Sequence, residues 1–215
     1  MTDIREDMRD LRRDFDYGTL DVSQVPEDPI ELLKKWMNDA IALKVKDANA
    51  FILSTVNNGK PDSRVLLIRD IVSDGIHFYT NYTSKKSEDI AHNENAALNI
   101  FWPDLDRQIR IHADVKKLPA ELSDDYFRTR PRASQIGAWA SKQSRKLENR
   151  VELEGRINEL NERFEGMDVP RPEFWGGYSA NPDYIEFWQG RPSRLHDRIT
   201  YTKKKSSWEI ERLYP

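Results

Sequence analysis

No cysteine occurs anywhere in the 215 residues. That excludes a disulfide framework, thiolate catalysis, zinc ribbons and cysteine-ligated iron–sulfur clusters. Glycine is scarce too, with 9 in all, and none falls in a G-x-G-x-x-G, G-x-x-x-x-G-K-[ST] or G-x-S-x-G arrangement. A phosphate-bearing ligand would therefore have to be held by side chains rather than by a glycine-lined backbone cradle. The four histidines, His77, His92, His112 and His196, stand far apart and match no metal-ligand spacing, so no metal is expected. No apolar run approaches the roughly 20 residues that cross a bilayer. The start, Met1-Thr2-Asp3-Ile4-Arg5-Glu6-Asp7, is dense in charge where a secretory signal is apolar, so a soluble cytoplasmic protein is expected. An excess of one charge is missing as well: 34 Lys and Arg face 37 Asp and Glu, a net charge of −3. Non-specific nucleic-acid binders carry a basic surplus, so that class survives only as a local patch.

What is present points to a folded chain. Six Trp, 8 Tyr and 8 Phe are too many for a disordered one, even with 33% charged residues and a mean hydropathy of −0.80. Residues 1–25 are polar and, left to themselves, mobile; residues 26–215 read as a single domain. A helix starts at Asp28, which can cap it, with Pro29 in the first turn and Ile30, Leu33, Met37, Ala40 and Ile41 at helical spacing. Sheet periodicity follows. Strands over 51–56 and 63–69 flank Asn58-Gly59, a strong hairpin signal, and a Ser73-Asp74-Gly75 turn leads to a strand over 76–80. These three read as an antiparallel meander.

Ser84 is expected to cap a short helix, with strands over 96–102 and 107–118 after it. In the second, Ile109, Ile111, Ala113 and Val115 share one face, while Gln108, Arg110, His112 and Asp114 share the other. Helices are expected over 119–130 and about 142–164, and strands over 184–189, 195–201 and 208–213. The fold class is mainly β with flanking helices (α+β), a closed or nearly closed antiparallel barrel with helices outside.

Four clusters could carry chemistry. Arg64 and Arg69 bracket the apolar Val65-Leu66-Leu67-Ile68, so they either sit at the rim, paired with Asp62 and Asp70, or meet an anion. Tyr79-Thr80 and Ser84-Lys85-Lys86 lie at a strand-to-helix junction that can hold an anion or simply be a capped, solvated helix start. Tyr126 and Ser134 flank three alternating arginines, Arg128, Arg130 and Arg132, which suit a phosphate monoester or an RNA-contacting loop. Finally, a strand through 194–200 would project Arg194, His196 and Arg198 from one face, with an imidazole kept neutral between two guanidiniums.

Together these residues resemble the pyridoxine/pyridoxamine 5′-phosphate oxidase family. The likeness runs from about Leu11 to Pro215 through Arg64-Val65-Leu66-Leu67, Phe78-Tyr79-Thr80-Asn81, Arg130-Pro131-Arg132, Ser134-Gln135-Ile136-Gly137-Ala138-Trp139 and Ser141-Lys142-Gln143-Ser144. It continues through Phe174-Trp175-Gly176-Gly177, Glu186-Phe187-Trp188-Gln189-Gly190, Arg194-Leu195-His196-Asp197-Arg198 and Arg212-Leu213-Tyr214-Pro215. The resemblance implies a homodimer of FMN-binding split β-barrels of Greek-key-like topology, with FMN at the subunit interface. Contacts to FMN would come from Arg64, Val65, Leu66, Leu67, Ile68, Arg69, Tyr79, Thr80, Lys85, Lys86, Gln108, Gln143, Ser144, Trp188 and Arg198.

The substrate phosphate would rest on Arg69, Tyr126, Arg130 and Ser134. Arg194, Leu195 and His196 would contact the ring, Arg194 and His196 being the catalytic pair. Arg12, Arg13, Asp14 and Phe15 would close over the substrate. The implied reaction is oxidation of pyridoxamine and pyridoxine 5′-phosphate by O2 to pyridoxal 5′-phosphate, with H2O2 and, from the amine, NH3. Arg69 stands where lysine is usual, Lys85 where arginine is, and Phe15 where tyrosine often is. A flavin reductase, or an FMN-binding protein of the same fold without this activity, is the alternative.

Overall fold

A computed structural model of the chain describes Met8, Leu11, residues 13–73 and residues 75–215. Arg12 and Asp74, both singled out from the sequence, lie outside the described residues. The elements are α1 (Pro29–Ala42), β1 (Ala50–Asn57), β2 (Lys60–Leu67), β3 (Asp70–Ile71), β4 (Ile76–Asn81), α2 (Lys85–His92), β5 (Asn95–Trp102) and β6 (Arg107–Lys117). They continue with α3 (Ala120–Thr129), α4 (Arg132–Ala140), α5 (Arg150–Arg163), β7 (Trp175–Gln189), β8 (Asp197–Lys203) and β9 (Trp208–Leu213).

Hydrogen-bonded strands run in the order β2-β1-β5-β6-β7-β4-β3, with β8 on β7 and β9 on β8. The path among the described strands does not return on itself, so the sheet is open rather than closed or nearly closed. It is mostly antiparallel and carries five flanking helices, the split-barrel arrangement of the α+β class.

The meander also needs correction. β1 and β2 do form a hairpin, Asn57 opposite Lys60, with Asn58 and Gly59 at φ +50° and +73°, the left-handed pair a tight turn requires. β4, however, pairs with β7 and the two-residue β3, not with β2. The chain switches partners just after Leu67: Ile68 N–H goes to Asn49 O and Arg69 N–H to His77 O.

By internal contacts the chain divides into two compact units. The described residues up to Ala48, with Asn99–Ile111 and Tyr184–Pro215, make the first; Asn49–Leu98 and His112–Asp183 make the second. In the first, Asp28 caps α1 by accepting from Ile30 N–H at 2.9 Å. α1 buries Ile30, Leu33, Trp36, Met37 and Ala40, but Ile41 is 58% exposed, just off the apolar stripe. Trp36 meets Phe187 edge-on, Phe187 meets Tyr201, and the Tyr201 hydroxyl donates to Pro26 O. Each such aromatic contributes about 1.5–3 kcal/mol by leaving water.

The second unit has a core of Phe51, Leu53, Phe78, Leu98 and Tyr178, and a separate cluster of Phe127, Ile136, Phe164, Val169 and Trp175. The alternation expected of β6 is present, with Ile109, Ile111, Ala113 and Val115 all buried. The helix expected from about 142 begins only at Arg150. Ser144 adopts φ +68°, which no α-helix accommodates, and Asn149 then caps by accepting from Glu152 N–H. Leu147 and Val151 are consequently exposed. α4 was not anticipated.

Candidate functional site

Two groups of candidate residues emerge, one in each unit. In the second unit, the end of β4 meets the start of α2. Lys86 is 7% exposed, and among the described residues its ammonium donates only to neutral oxygens: Gln143 Oε1 at 2.9 Å, Ser84 Oγ at 3.2 Å and Thr80 Oγ1 at 3.3 Å. Burial, reinforced by the Arg64 charge, pushes its pKa down to about 8. A buried cation with no carboxylate in salt-bridge reach among the described residues, set in the first turn of a helix, is a place built for an anion.

Its neighbours are already paired. Arg64 makes the rim ion pair with Asp62 at 2.7 Å and donates to Leu53 O and Thr55 Oγ1. Lys85 is tied to Asp89 one turn on. Burial raises the Asp89 pKa, but hydrogen bonds from Lys85, Thr55 and Asn57 outweigh it and hold the carboxyl below its ordinary value. Val65 and Leu67 are exposed and Ile68 is buried, while Ser144 is exposed beside Gln143.

Nearby residues of the same unit form an aromatic stack. Tyr79 lies 3.9 Å from Tyr126 and 5.7 Å from Trp175, the planes within 18°. The Arg130 guanidinium sits 4.4 Å over Trp175, and Arg69 lies 5.9 Å from the Tyr126 ring. Arg130 Nη1 is buried and has no hydrogen-bond partner among the described residues. Burial lowers the Arg130 pKa, as does Arg69, against an opposing effect from Tyr126. Ser134 is half-buried in the first turn of α4. The three alternating arginines do not act together. Arg128 pairs with Asp125, and Arg132 closes the end of α5 by donating to Phe164 O and Met167 O, so Arg130 alone of the three turns to the stack.

The first unit holds the other group. Phe15, Trp188 and His196 make a three-ring contact, with Trp188 and His196 4.5 Å apart and Phe15 edge-on to both. A cavity of about 1000 Å3 beside them is lined by Asp14, Arg194 and His196 among others. His196 Nδ1 accepts the Arg191 backbone N–H at 3.1 Å, which leaves Nε2 as the protonated nitrogen of a neutral ring. Burial, and after it the Arg194 charge, lowers its pKa, in line with the neutral imidazole expected from sequence.

The strand expected through 194–200 is corrected. Pro192–Arg194 is a short 3-10 turn with Ser193 and Arg194 at φ +57° and +61°, and β8 starts only at Asp197. Pro192 lacks the N–H a ladder needs, and left-handed residues break the alternation. Arg194, His196 and Arg198 therefore do not share a strand face. Leu195 is 68% exposed. Arg198 forks onto Glu186, Nε at 2.8 Å and Nη2 at 3.1 Å, and Arg110 joins from β6, where Gln108 shares its outward face.

Sequence reasoning passed over Glu186, Asp89, Asp106 and Trp175. Glu186 had a readable signal, a lone carboxylate in the apolar run Tyr184-Ile185-Glu186-Phe187-Trp188. Burial raises its pKa, but the hydrogen bonds and charge of Arg198, with Arg110, outweigh that and lower it. Trp175 and Asp106 act through partners about 45–90 residues away, which no local pattern reveals.

Comparison with known proteins adds an independent line. Residues 37–164 match a family model described as pyridoxamine 5′-phosphate oxidase, and residues 175–215 match the pyridoxine 5′-phosphate oxidase C-terminal dimerisation region. The chain is 44% identical over 215 residues to a pyridoxine/pyridoxamine 5′-phosphate oxidase of Cytophaga hutchinsonii, covering 99% of this chain and 100% of that one. Identity is also 44%, over 212 residues and 98% of each chain, to the protein of the same name from Rubrobacter xylanophilus. Among solved structures, PhzG from Burkholderia lata 383, in complex with tetrahydrophenazine-1-carboxylic acid, is similar with a TM-score of 0.86 at 30% identity, over 92% of this chain and 100% of that one. A pyridoxamine 5′-phosphate oxidase-related, FMN-binding protein from Nostoc punctiforme shares the fold, with a TM-score of 0.69 at 16% identity over 86% and 96%.

Proposed function

Because the chain belongs to the pyridoxine/pyridoxamine 5′-phosphate oxidase family, we propose that it is an FMN-dependent oxidase. Its substrates are pyridoxamine 5′-phosphate and pyridoxine 5′-phosphate, oxidised by O2 to pyridoxal 5′-phosphate with release of H2O2 and, from the amine, NH3, in vitamin B6 biosynthesis and salvage. One observation carries the reading: the second unit holds two cations set for anions, Lys86 with neutral partners only and Arg130 with a buried Nη1 that has no partner, both among the described residues. Cofactor and substrate each bring one phosphate, and a site for both needs two such places.

The donor set around Lys86 fits the FMN phosphate, with Arg64, Thr80, Lys85, Gln143 and Ser144 completing it. Val65 to Arg69, Tyr79, Gln108, Trp188 and Arg198 are assigned to the rest of the cofactor. Bound FMN supplies the acceptor for a two-electron oxidation and passes the electrons to O2. The protein's own task is orientation. Arg130, Ser134, Tyr126 and Arg69 hold the substrate phosphate; Arg194 and His196 hold the ring, His196 donating from Nε2. Glu186 keeps the Arg198 guanidinium in one pose. Trp188, Arg194, His196 and Arg198 all lie in the segment matched as a dimerisation region, which supports a homodimer whose second copy supplies them to the first copy's phosphate cluster. No helix among the described residues is long and apolar enough to cross a membrane.

The test is peroxide production by the aerobic, FMN-loaded protein. Pyridoxamine 5′-phosphate should give peroxide and unphosphorylated pyridoxamine little. Peroxide from neither, with flavin bound, refutes the substrate assignment. Parallel arms with tetrahydrophenazine-1-carboxylic acid and with a nicotinamide reductant then identify a PhzG-like oxidase or a flavin reductase. An Arg194→Ala variant with unchanged turnover and affinity would remove Arg194 from the site.

A further inference from the structure

Residues 13–20 cross the first unit without a helix or strand of their own. A segment lacking a hydrogen-bonded ladder must be held in some other way, and much of the holding falls to Asp106. Its side chain is 4% exposed. The carboxylate pairs with the Arg13 guanidinium and accepts from the N–H groups of Asp16 at 3.1 Å and Tyr17 at 3.4 Å. Arg13 also donates to Pro103 O at 3.0 Å. Three residues of the segment thus converge on one buried anion.

Asp106 is itself held firmly. It follows the Pro103–Leu105 turn at φ +50° and ψ +37°, a conformation aspartate tolerates better than most residues. Its carbonyl accepts from Gly190 N–H at 2.7 Å and Gln189 Nε2 at 3.2 Å. Gly190 is the second half of the arrangement. A Cβ there would lie 2.8 Å from Phe15 Cβ and 2.9 Å from Asp106 Cβ, so Phe15 rests against a position that only glycine leaves open. From that seat Phe15 turns its edge to His196 and Trp188, and the Arg13 guanidinium lies 4.5 Å over its ring.

We infer that Asp106 and Gly190 form a latch that sets the 13–20 segment over the His196 cavity, and that Asp106 is a positioning residue controlling how long substrate stays there. The identity of that substrate rests on the function proposed above. Arg13, its charge neutralised by Asp106, is the tether of the segment and not a phosphate ligand. Phe15 supplies the covering contact.

Two variants of the full-length, FMN-loaded protein test this. Asp106→Asn keeps the size and the tolerance of left-handed backbone while removing the charge; Gly190→Ala pushes at Phe15 from beneath. Amide hydrogen exchange over 13–20 should rise about tenfold or more in both, with exchange elsewhere unchanged. The KM for pyridoxamine 5′-phosphate should rise about tenfold while kcat stays within about twofold. Unchanged exchange in the segment overturns the latch, and so does a rise spread through the whole protein in both variants. A fall in kcat at constant KM, or a released segment with unchanged KM, overturns the positioning role. Should the unsubstituted protein make no peroxide, the proposed function fails, yet the exchange measurement still decides the latch.

Discussion

Lys86 shows how one side chain can set a pH limit on the binding of an anion. Its ammonium is buried among neutral oxygens, and in the free protein it loses its proton near pH 8 rather than 10.5. A lowered lysine pKa means that folding disfavours the charged form, whereas a bound phosphate favours it. On the proposed reading, FMN binding should therefore draw a proton onto Lys86 and weaken as pH rises above 8, by up to about tenfold in Kd per pH unit. Titration of flavin fluorescence at pH 7, 8 and 9 measures this. A Lys86→Gln variant should bind about 10–100-fold more weakly at pH 7 and lose the slope. A slope that survives the substitution would place the titrating group elsewhere.

At the scale of elements, β7 carries the aromatic stack by leaving space for it. A Cβ on Gly177 would lie 2.7 Å from Tyr79 Cε1 and 2.6 Å from Leu118 Cδ1. Gly177→Ala should therefore tilt Tyr79 off Tyr126 and cost about 1–3 kcal/mol by overpacking, read by urea denaturation, with weakened binding at the proposed phosphate site as its functional mark. A stability change under about 0.5 kcal/mol would mean that the stack yields easily.

The elements differ in how legible they were. α1 could be read because its cap, its proline and its apolar stripe all act within a few residues, and β6 because one buried face imposes strict alternation. β4 could not be assigned its partner. Its pairing with β7 joins Ile76 to Ala180 and depends on contacts that leave no local trace. Residues 194–196 misled for a different reason: the alternation through 194–200 mimics a strand, while Pro192 and the left-handed Ser193 and Arg194 bend the chain into a turn. Lys86, Tyr126, Arg130 and His196 stood out as chemistry from sequence. Trp175, against which Tyr126 and Arg130 pack, and Asp106, which holds Arg13, did not, because burial makes them important and burial is a property of the fold.

For the whole molecule, the proposed sharing of each site between two copies makes a quantitative prediction. Arg130→Ala removes a residue of the second unit and Arg194→Ala one of the first, and each homodimer should be nearly inactive. After subunit exchange in an equal mixture, half the dimers are mixed, and each mixed dimer has one intact site. Activity should recover to about a quarter of that of the unsubstituted protein. No recovery, with exchange verified by mass-tagged chains, would show that each site lies within one chain.

The two cations that lack carboxylate partners among the described residues reach beyond the site itself. On the proposed reading, Lys86 admits the cofactor and Arg130 the substrate by the same token, a phosphate ester, and neither free vitamin carries it. The reactions that must come before this one are then phosphoryl transfers onto both. A cell poor in such kinases would hold this oxidase intact but idle, with riboflavin and pyridoxamine plentiful around it.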